Sequence, residues 1–420
     1  MIRVSVVIPT YNMAEYISVC LDSVIAQTLN NIEVLIIDDG STDNTSDLVM
    51  KYCQENSNIR YIYQKNSGSG NARNIGIRAA MGEYIAFMDA DDFYHANDIL
   101  ETLYTKAITK KAVMCGGDIC YLRNGKISSD GMREGMKVEN EGWVEKENYP
   151  TIDGYVTYIY KNSFLKQNNL FFLPYLRNQD VPFFLNCIAK AGRVYRIKKD
   201  VYCYRKGHKN VNWTIEKVLG YAEGVRDELE ICRNNGLKLI YRSRCKELHG
   251  EFSALLYFYA TQSGKVKKLI SEINRLIDIK NEENGTKFKF LEQEEIGEYV
   301  RRIEKEEHEL TKICKLFDKK IIFGAGDFGR RVIKYFKEVD IRVEAVGVSN
   351  TENNPPTVEG VKVCSIDDFV PCAEEYLVIV AVYPFLQNEV KELLQKKKFH
   401  NVYFADLEQI CLYEYVKNVK

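Results

Sequence analysis

The chain has 420 residues, 45% of them hydrophobic and 28% charged, with a formal net charge of −1. That length exceeds one ordinary core, so two or three domains are expected. The near-zero charge gives no electrostatic case for a nucleic-acid partner. No apolar run reaches the ~18–20 residues that span a bilayer, and the chain enters a strand-like run, Ile2–Ile8, without the layout of a signal peptide. A cytoplasmic protein is therefore expected. Twelve cysteines are scattered between Cys20 and Cys411 with no CxxC pair. Reduced, mostly buried thiols are the expectation, and no Cys/His pair has zinc-ligand spacing. The 28 tyrosines are a compositional oddity that the sequence does not convert into function.

Residues 1–110 alternate strands with helices. Val4–Ile8 reads as a strand stopped by Pro9, followed by a helix carrying Ile17, Cys20, Leu21, Val24 and Ile25, with Asn12 and Glu15 placed for a capping-box-like start. Strands at Glu33–Ile37, Arg60–Gln64 and Tyr84–Met88 and helices at Asp47–Gln54 and Ala72–Ala80 follow. This alternation implies a mostly parallel, doubly wound α/β sheet with ligands at the carboxyl ends of its strands. Residues 113–210 read as the second half of the same domain: strands at Ala112–Leu122, Val156–Tyr160, Arg193–Ile197 and Val201–Arg205 around a helix near Val181–Ala191. From about Thr214 to Phe317 the pattern is helical and charged, ending in one charge-dense helix at Glu292–Lys315. Residues 318–413 restart a βαβ pattern. The domains expected are 1–213, a helical segment at 214–317, and a smaller α/β domain at 318–420.

Two acidic clusters follow buried apolar strands: Asp38-Asp39-Gly40-Ser41-Thr42-Asp43, and Asp89-Ala90-Asp91-Asp92. Carboxylates grouped at strand tips repel one another and attract a cation, and oxygen-rich sets suit Mg²⁺ or Mn²⁺. Helix capping is the competing explanation, strongest for Asp43 and next for Asp92. Between the clusters, Gly68-Ser69-Gly70-Asn71-Ala72-Arg73 combines glycines that permit close backbone approach with a helix start and an arginine suited to an anion.

The segments VSVVIPTYN (from Val4), IDDGSTDNT, GSGNARNIGI and GEYIAFMDADD occur in order and at the usual distances. Together, over about residues 1–210, they resemble the family 2 glycosyltransferases, which have the GT-A fold. The resemblance implies that Pro9, Thr10 and Tyr11 line the nucleobase and ribose pocket, that Asp39 accepts a hydrogen bond from the base, and that Arg73 lies beside the nucleotide. Asp89 and Asp91 match the family's DxD motif, Asp91 as the direct ligand of Mn²⁺ or Mg²⁺ and Asp89 nearer the ribose. The family's catalytic base comes from a Glu-Asp pair opening a helix; here the pair is Gln179-Asp180, so Asp180 is the base and its usual glutamate neighbour is missing. His208, in Tyr202-Cys203-Tyr204-Arg205-Lys206-Gly207-His208, matches the place of a histidine that completes the metal site or closes over the diphosphate. The activity implied is inverting transfer from a nucleotide-diphosphate sugar, UDP-sugars favoured, to a glycan or lipid-linked acceptor in surface polysaccharide synthesis. A non-catalytic nucleotide-sugar-binding protein is the alternative that Gln179 leaves open. Peripheral association with the inner face of the membrane and a homodimer are further partner expectations, and nucleic acid is not one.

In the C-terminal unit, Gly324, Gly326 and Gly329 form a GxGxxG turn between strand and helix, similar to Rossmann-like domains. The acidic residue expected about 20 positions on is missing, since the strand Arg342–Val348 runs into Ser349-Asn350. NAD, and with it an NAD-dependent oxidoreductase, is therefore disfavoured.

Overall fold

Val4, Val6, Val7 and Ile8 are all fully buried. A run that is apolar at successive positions belongs to a strand covered on both faces, and each such side chain contributes about 1.5–3 kcal/mol on burial. In the computed structural model these residues form an interior strand of a nine-stranded sheet. The structure describes residues 1–123, 125–129, 137–150, 154–207, 211–277, 289–305, 308–352, 354–383 and 386–418. The chain divides into two units, Met1–Arg244 and Cys245–Lys420.

The strands of the first unit are β1 (Val4–Thr10), β2 (Ile32–Asp38), β3 (Ile59–Tyr63), β4 (Tyr84–Phe87), β5 (Met114–Arg123), β6 (Lys126–Ser128), β7 (Gly142–Glu145), β8 (Tyr158–Lys161) and β9 (Arg193–Arg205). Their order is β3-β2-β1-β4-β8-β5-β9-β7, with β6 paired to β5. Strands β3, β2, β1 and β4 are mutually parallel, whereas β8 runs antiparallel to both β4 and β5. The direction of winding reverses between β1 and β4, and the crevice at such a switch point is where open α/β sheets bind ligands.

Pro9 does not end β1, which continues to Thr10 with Pro9 in register with Ile37. The Val7 carbonyl accepts from the Met88 amide on the β4 side, and the Thr10 carbonyl accepts from the Asp39 amide on the β2 side. Alternation therefore turns Pro9 toward the β4 side, past the end of β4 at Phe87, where no ladder donor is needed. The expected capping box at Asn12 and Glu15 is also absent. The helix Ile17–Ile25 has Tyr16 at its N-cap, while Asn12 takes a left-handed turn (φ 53°) and its Oδ1 accepts from the Thr42 amide at 2.8 Å. The two strands expected between Arg193 and Arg205 are one, β9, which pairs with β5 across register shifts around Asp118. Strands β6 and β7 carry too little apolar periodicity to have been foreseen.

The helix Ser69–Ala79 lies against β1 so closely that a Cβ at Gly76 would sit 2.2 Å from Val7 Cγ1. That approach places Arg73, one turn earlier, at the strand ends. The segment expected to be a separate helical linker, 214–317, is shared between the units. Its first helix, Ile215–Asn235, packs in the first unit, where a Cβ at Gly224 would meet the Asn178 carbonyl at 2.7 Å. The charge-dense stretch 292–315 forms two helices, Gln293–Lys305 and Glu309–Cys314. The second is capped by His308, whose Nδ1 accepts from the Leu310 amide at 3.1 Å.

The second unit holds β10 (Lys319–Phe323), β11 (Ala345–Val348), β12 (Thr357–Val358), β13 (Val361–Ser365), β14 (Tyr376–Val380) and β15 (Val402–Phe404), in the order β12-β13-β11-β10-β14-β15. All neighbouring pairs are parallel except β12 with β13. The core of this smaller sheet is Ile321, Phe323, Val378, Val380 and Leu394.

Candidate active site

The carboxyl ends of β1, β2 and β4 gather the residues singled out from the sequence. Pro9 and Thr10 close β1, and Tyr11 just beyond them is 43% exposed. Thr10 is buried, and its Oγ1 has no hydrogen-bond partner among the described residues. A buried hydroxyl without a partner is costly unless a ligand completes it.

The two acidic clusters turn out to do different work. Asp38 is consumed structurally: its carboxylate accepts from the Ser41 amide at 2.8 Å and the Tyr61 hydroxyl at 2.6 Å. Asp39 organises the loop that follows β3. Its Oδ1 accepts from the Ser67 amide at 2.7 Å and Gln64 Nε2 at 2.5 Å, and its Oδ2 accepts from the Gly68 amide at 2.9 Å. Gly68 can hold this turn because its φ of 93° suits glycine. Asp43 caps: it accepts from the Thr45 amide and hydroxyl and from the Ala14 amide. Slight burial works against its ionisation, but those bonds outweigh it and hold its pKa below the ordinary value.

At the end of β4, Asp89 Oδ1 accepts from Arg73 Nη2 at 2.7 Å and from the Tyr155 hydroxyl at 3.0 Å. Arg73 is buried, stacks over the Tyr155 and Phe172 rings, and keeps Nε and Nη1 without a hydrogen-bond partner among the described residues. Burial opposes its charge, but Tyr155 and Asp89 hold the guanidinium ionised. Asp91 is half-buried, and its backbone carbonyl accepts from Arg205 Nε at 3.0 Å. Asp92 turns inward, taking the Tyr202 hydroxyl at 2.8 Å and the Arg205 amide at 2.8 Å. Burial and the neighbouring Asp89 push its carboxyl up to about 8, so it holds the loop rather than offering charge.

Asp180 opens the helix Asp180–Ala191. Burial raises its pKa, and Arg73 partly offsets that effect while Asp89 adds to it, so Asp180, Arg73 and Asp89 form one electrostatic group. Gln179 is buried and donates from Nε2 to Ser69 Oγ at 2.9 Å, tying this helix start to the start of the Arg73 helix. Asn74 fixes the preceding segment, with Nδ2 donating to the Phe172 carbonyl at 2.9 Å and Oδ1 accepting from the Phe172 amide at 2.8 Å. Phe172 stacks on Phe183 at 4.0 Å and meets Phe87 edge-on, giving the group an aromatic floor.

Sequence reasoning missed Tyr155, Tyr202 and Asn74. The unexplained tyrosine excess was the available signal: Tyr61, Tyr155, Tyr202, Tyr175, Tyr195 and Tyr299 each donate to a carboxylate. His208 lies outside the described residues. In the second unit, Gly324 has φ 122°, and a Cβ there would lie 2.6 Å from the Ala381 carbonyl. A Cβ at Gly329 would meet the Gly324 carbonyl at 1.9 Å, so packing alone accounts for these two glycines, while Gly326 faces open space.

The family model for glycosyl transferase family 2 matches residues 5–167. The uncharacterized glycosyltransferase YibD of Escherichia coli (strain K12) is 30% identical over 230 residues, 50% of this chain and 67% of that protein. The uncharacterized glycosyltransferase EpsJ of Bacillus subtilis (strain 168) is 31% identical over 215 residues, 48% of this chain and 61% of that one. The chain thus spans about two thirds of these two, but only 16% of glycosyltransferase GlyA of Streptococcus pneumoniae, with which it shares 38% identity over 116 residues. Among solved structures, S. aureus TarS 1-349 in complex with UDP-GlcNAc matches with a TM-score of 0.51 at 22% identity, over 66% of this chain and 80% of that chain. That likeness speaks to the fold. No helix among the described residues is long and apolar enough to cross a membrane.

Proposed function

This chain belongs to the family 2 glycosyltransferases, and on that premise we propose that its first unit transfers a sugar, with inversion, from a nucleoside-diphosphate donor to an acceptor hydroxyl. The observation that carries the reading is the joining of Arg73, Asp89 and Asp180 into one electrostatic group at the carboxyl ends of β1 and β4. Pro9, Thr10, Tyr11 and Asp39 would flank that group on the donor side, where the buried Thr10 hydroxyl, without a hydrogen-bond partner among the described residues, is left for a ligand to complete.

The donor set fits a hard divalent cation. Asp89 and Asp91 offer carboxylate oxygens at a strand tip, while Asp92 is held away from them by Tyr202 and Arg205. Bound there as Mn²⁺ or Mg²⁺, the ion supplies Lewis-acid compensation for charge on the departing diphosphate. The residues of the chain do the rest. Asp180 removes the proton from the acceptor hydroxyl, and its raised pKa brings a carboxylate closer to the basicity that task needs. Arg73 holds Asp89 with Nη2 and presents its remaining donors to the donor's anionic groups. The Gln179–Ser69 bond keeps the two helix starts, and so base and donor, in fixed relation.

The acceptor is taken to be a glycan or lipid-linked glycan of a surface polysaccharide. TarS was solved with UDP-GlcNAc, which makes UDP-sugars the first donors to try. The test is a thermal-shift screen of UDP-, GDP-, CDP- and dTDP-sugars with Mn²⁺, followed by release of nucleoside diphosphate from whichever stabilises. Stabilisation with turnover supports the proposal. Stabilisation with no hydrolysis or transfer, acceptor glycans included, leaves a binding protein instead, and no stabilisation by any donor counts against both.

A further inference from the structure

Beyond the donor site, the fold brings together three side chains far apart in sequence. His95 lies in the loop after β4, Cys120 on β5 and Asp200 on β9, and one ligand atom of each lies within 4.8 Å of the others. Cys120 Sγ is 3.7 Å from His95 Nδ1. Two ligands of a tetrahedral zinc, at about 2.3 Å for sulfur and about 2.0–2.1 Å for nitrogen, stand about 3.5 Å apart, so little movement separates this pair from a ligating one. Ser129 Oγ donates to Asp200 Oδ2 at 2.7 Å, the kind of outer bond that orients a ligating carboxylate. Cys120 is buried and His95 is exposed, so an ion has a deep anchor and an open route. Cys203, the register partner of Cys120 on β9, is also buried beside it.

We propose that His95, Cys120 and Asp200 bind one zinc ion, with a solvent oxygen in the fourth position. One sulfur, one nitrogen and one carboxylate form a borderline-soft donor set that favours zinc over Mg²⁺ or Mn²⁺, unlike the all-oxygen set at Asp89 and Asp91. The ion acts as a staple. It ties the loop after β4 to β5 and β9, the latter being the strand whose Tyr202 and Arg205 already hold Asp92. Spacing along the chain could not reveal such a site, because each ligand comes from a different element.

The test uses the full chain, stripped with a chelator and titrated with Co²⁺ as a spectroscopic probe and then with Zn²⁺. The expected result is one equivalent of Co²⁺ giving a sulfur-to-cobalt charge-transfer absorption, bleached by Zn²⁺, with a rise in melting temperature on zinc addition. The absorption is lost in Cys120→Ser, affinity falls roughly tenfold or more in the surface variant His95→Ala, and both are unchanged in Asp91→Asn. Co²⁺ binding to the wild-type chain without thiolate absorption overturns the proposal, and needs no variant to fold. The same absorption persisting in Cys120→Ser, or tracking Asp91 instead, also overturns it.

Discussion

Arg73 Nη2 lies 2.7 Å from Asp89 Oδ1, and the pair is buried on the arginine side, with Arg73 7% and Asp89 29% exposed at the side chain. The pair joins the helix Ser69–Ala79 to the tip of β4, so one contact positions both a carboxylate and a cationic fork. Truncating a charge-assisted bond of this kind costs about 1.5–3 kcal/mol. Arg73→Gln is therefore expected to raise the donor KM by ~10–100-fold. Arg73→Lys recovers only part, because an ammonium cannot keep Asp89 and present a second planar pair of donors. Donor-dependent initial rates on the three proteins check this, and equal KM values would remove Arg73 from the donor site.

Asp180→Asn is expected to lower kcat by ~10²–10⁴-fold while leaving donor affinity close to wild type. The pH profile adds a second reading. Burial raises the Asp180 carboxyl, and Arg73 only partly reverses that. The base acts ionised, so activity is lost as pH falls through the raised value, and the acid limb of kcat/KM stands above the ordinary aspartate figure of ~3.9. An acid limb of the same position in the residual activity of Asp180→Asn would assign it to another group.

Gly76 has no room for a methyl group, since its Cβ would stand 2.2 Å from Val7 Cγ1. Gly76→Ala is expected to cost about 1–3 kcal/mol, read as a lowered urea midpoint. Val7→Ala in the same chain removes the clashing methyl groups, so the double variant is less destabilised than the sum of the two single ones. Strict additivity would mean that the helix and β1 do not meet as described.

His308 is pushed down to about 4 by burial while it caps the helix Glu309–Cys314 as a neutral acceptor. The folded state therefore binds the proton more weakly than the unfolded one, whose value is near ~6.5. Its contribution to stability is complete above that unfolded value and is lost as pH falls toward the folded one. His308→Asn keeps an N-cap acceptor without the titration, so the slope of stability against pH across this window flattens. Chemical denaturation at pH values spanning the window measures it.

What the sequence revealed follows from where the information is local. The strands β1, β2 and β4 were legible because their apolar runs are covered on both faces, and the candidate residues Pro9, Thr10, Asp39, Asp89 and Asp91 because they sit at the ends of those runs. The roles within IDDGSTDNT were not. Asp38, Asp39 and Asp43 are all acidic and close together in the chain, yet one is bound by Tyr61, one by the Ser67 and Gly68 amides and one by Thr45, and only the folded loops sort them. Tyr155 was invisible for a related reason, since its hydroxyl meets Asp89 from 66 residues away. The passage of β1 through Pro9 was misread because the missing donor matters only if a strand lies on that side. The His95, Cys120 and Asp200 grouping escaped a search by spacing because three different elements supply it.

The metal-assisted nucleoside-diphosphate-sugar site proposed at the ends of β1 and β4 requires that nucleotide binding depend on the cation. Calorimetric titration of UDP, and then of GDP, CDP and dTDP, into the full chain tests it most directly, in Mn²⁺, in chelator, and with Asp91→Asn. Saturable binding of one nucleoside diphosphate in Mn²⁺ is expected, weakening sharply both in chelator and in Asp91→Asn. Binding that is indifferent to chelator and to Asp91, or no binding of any of the four, would contradict it.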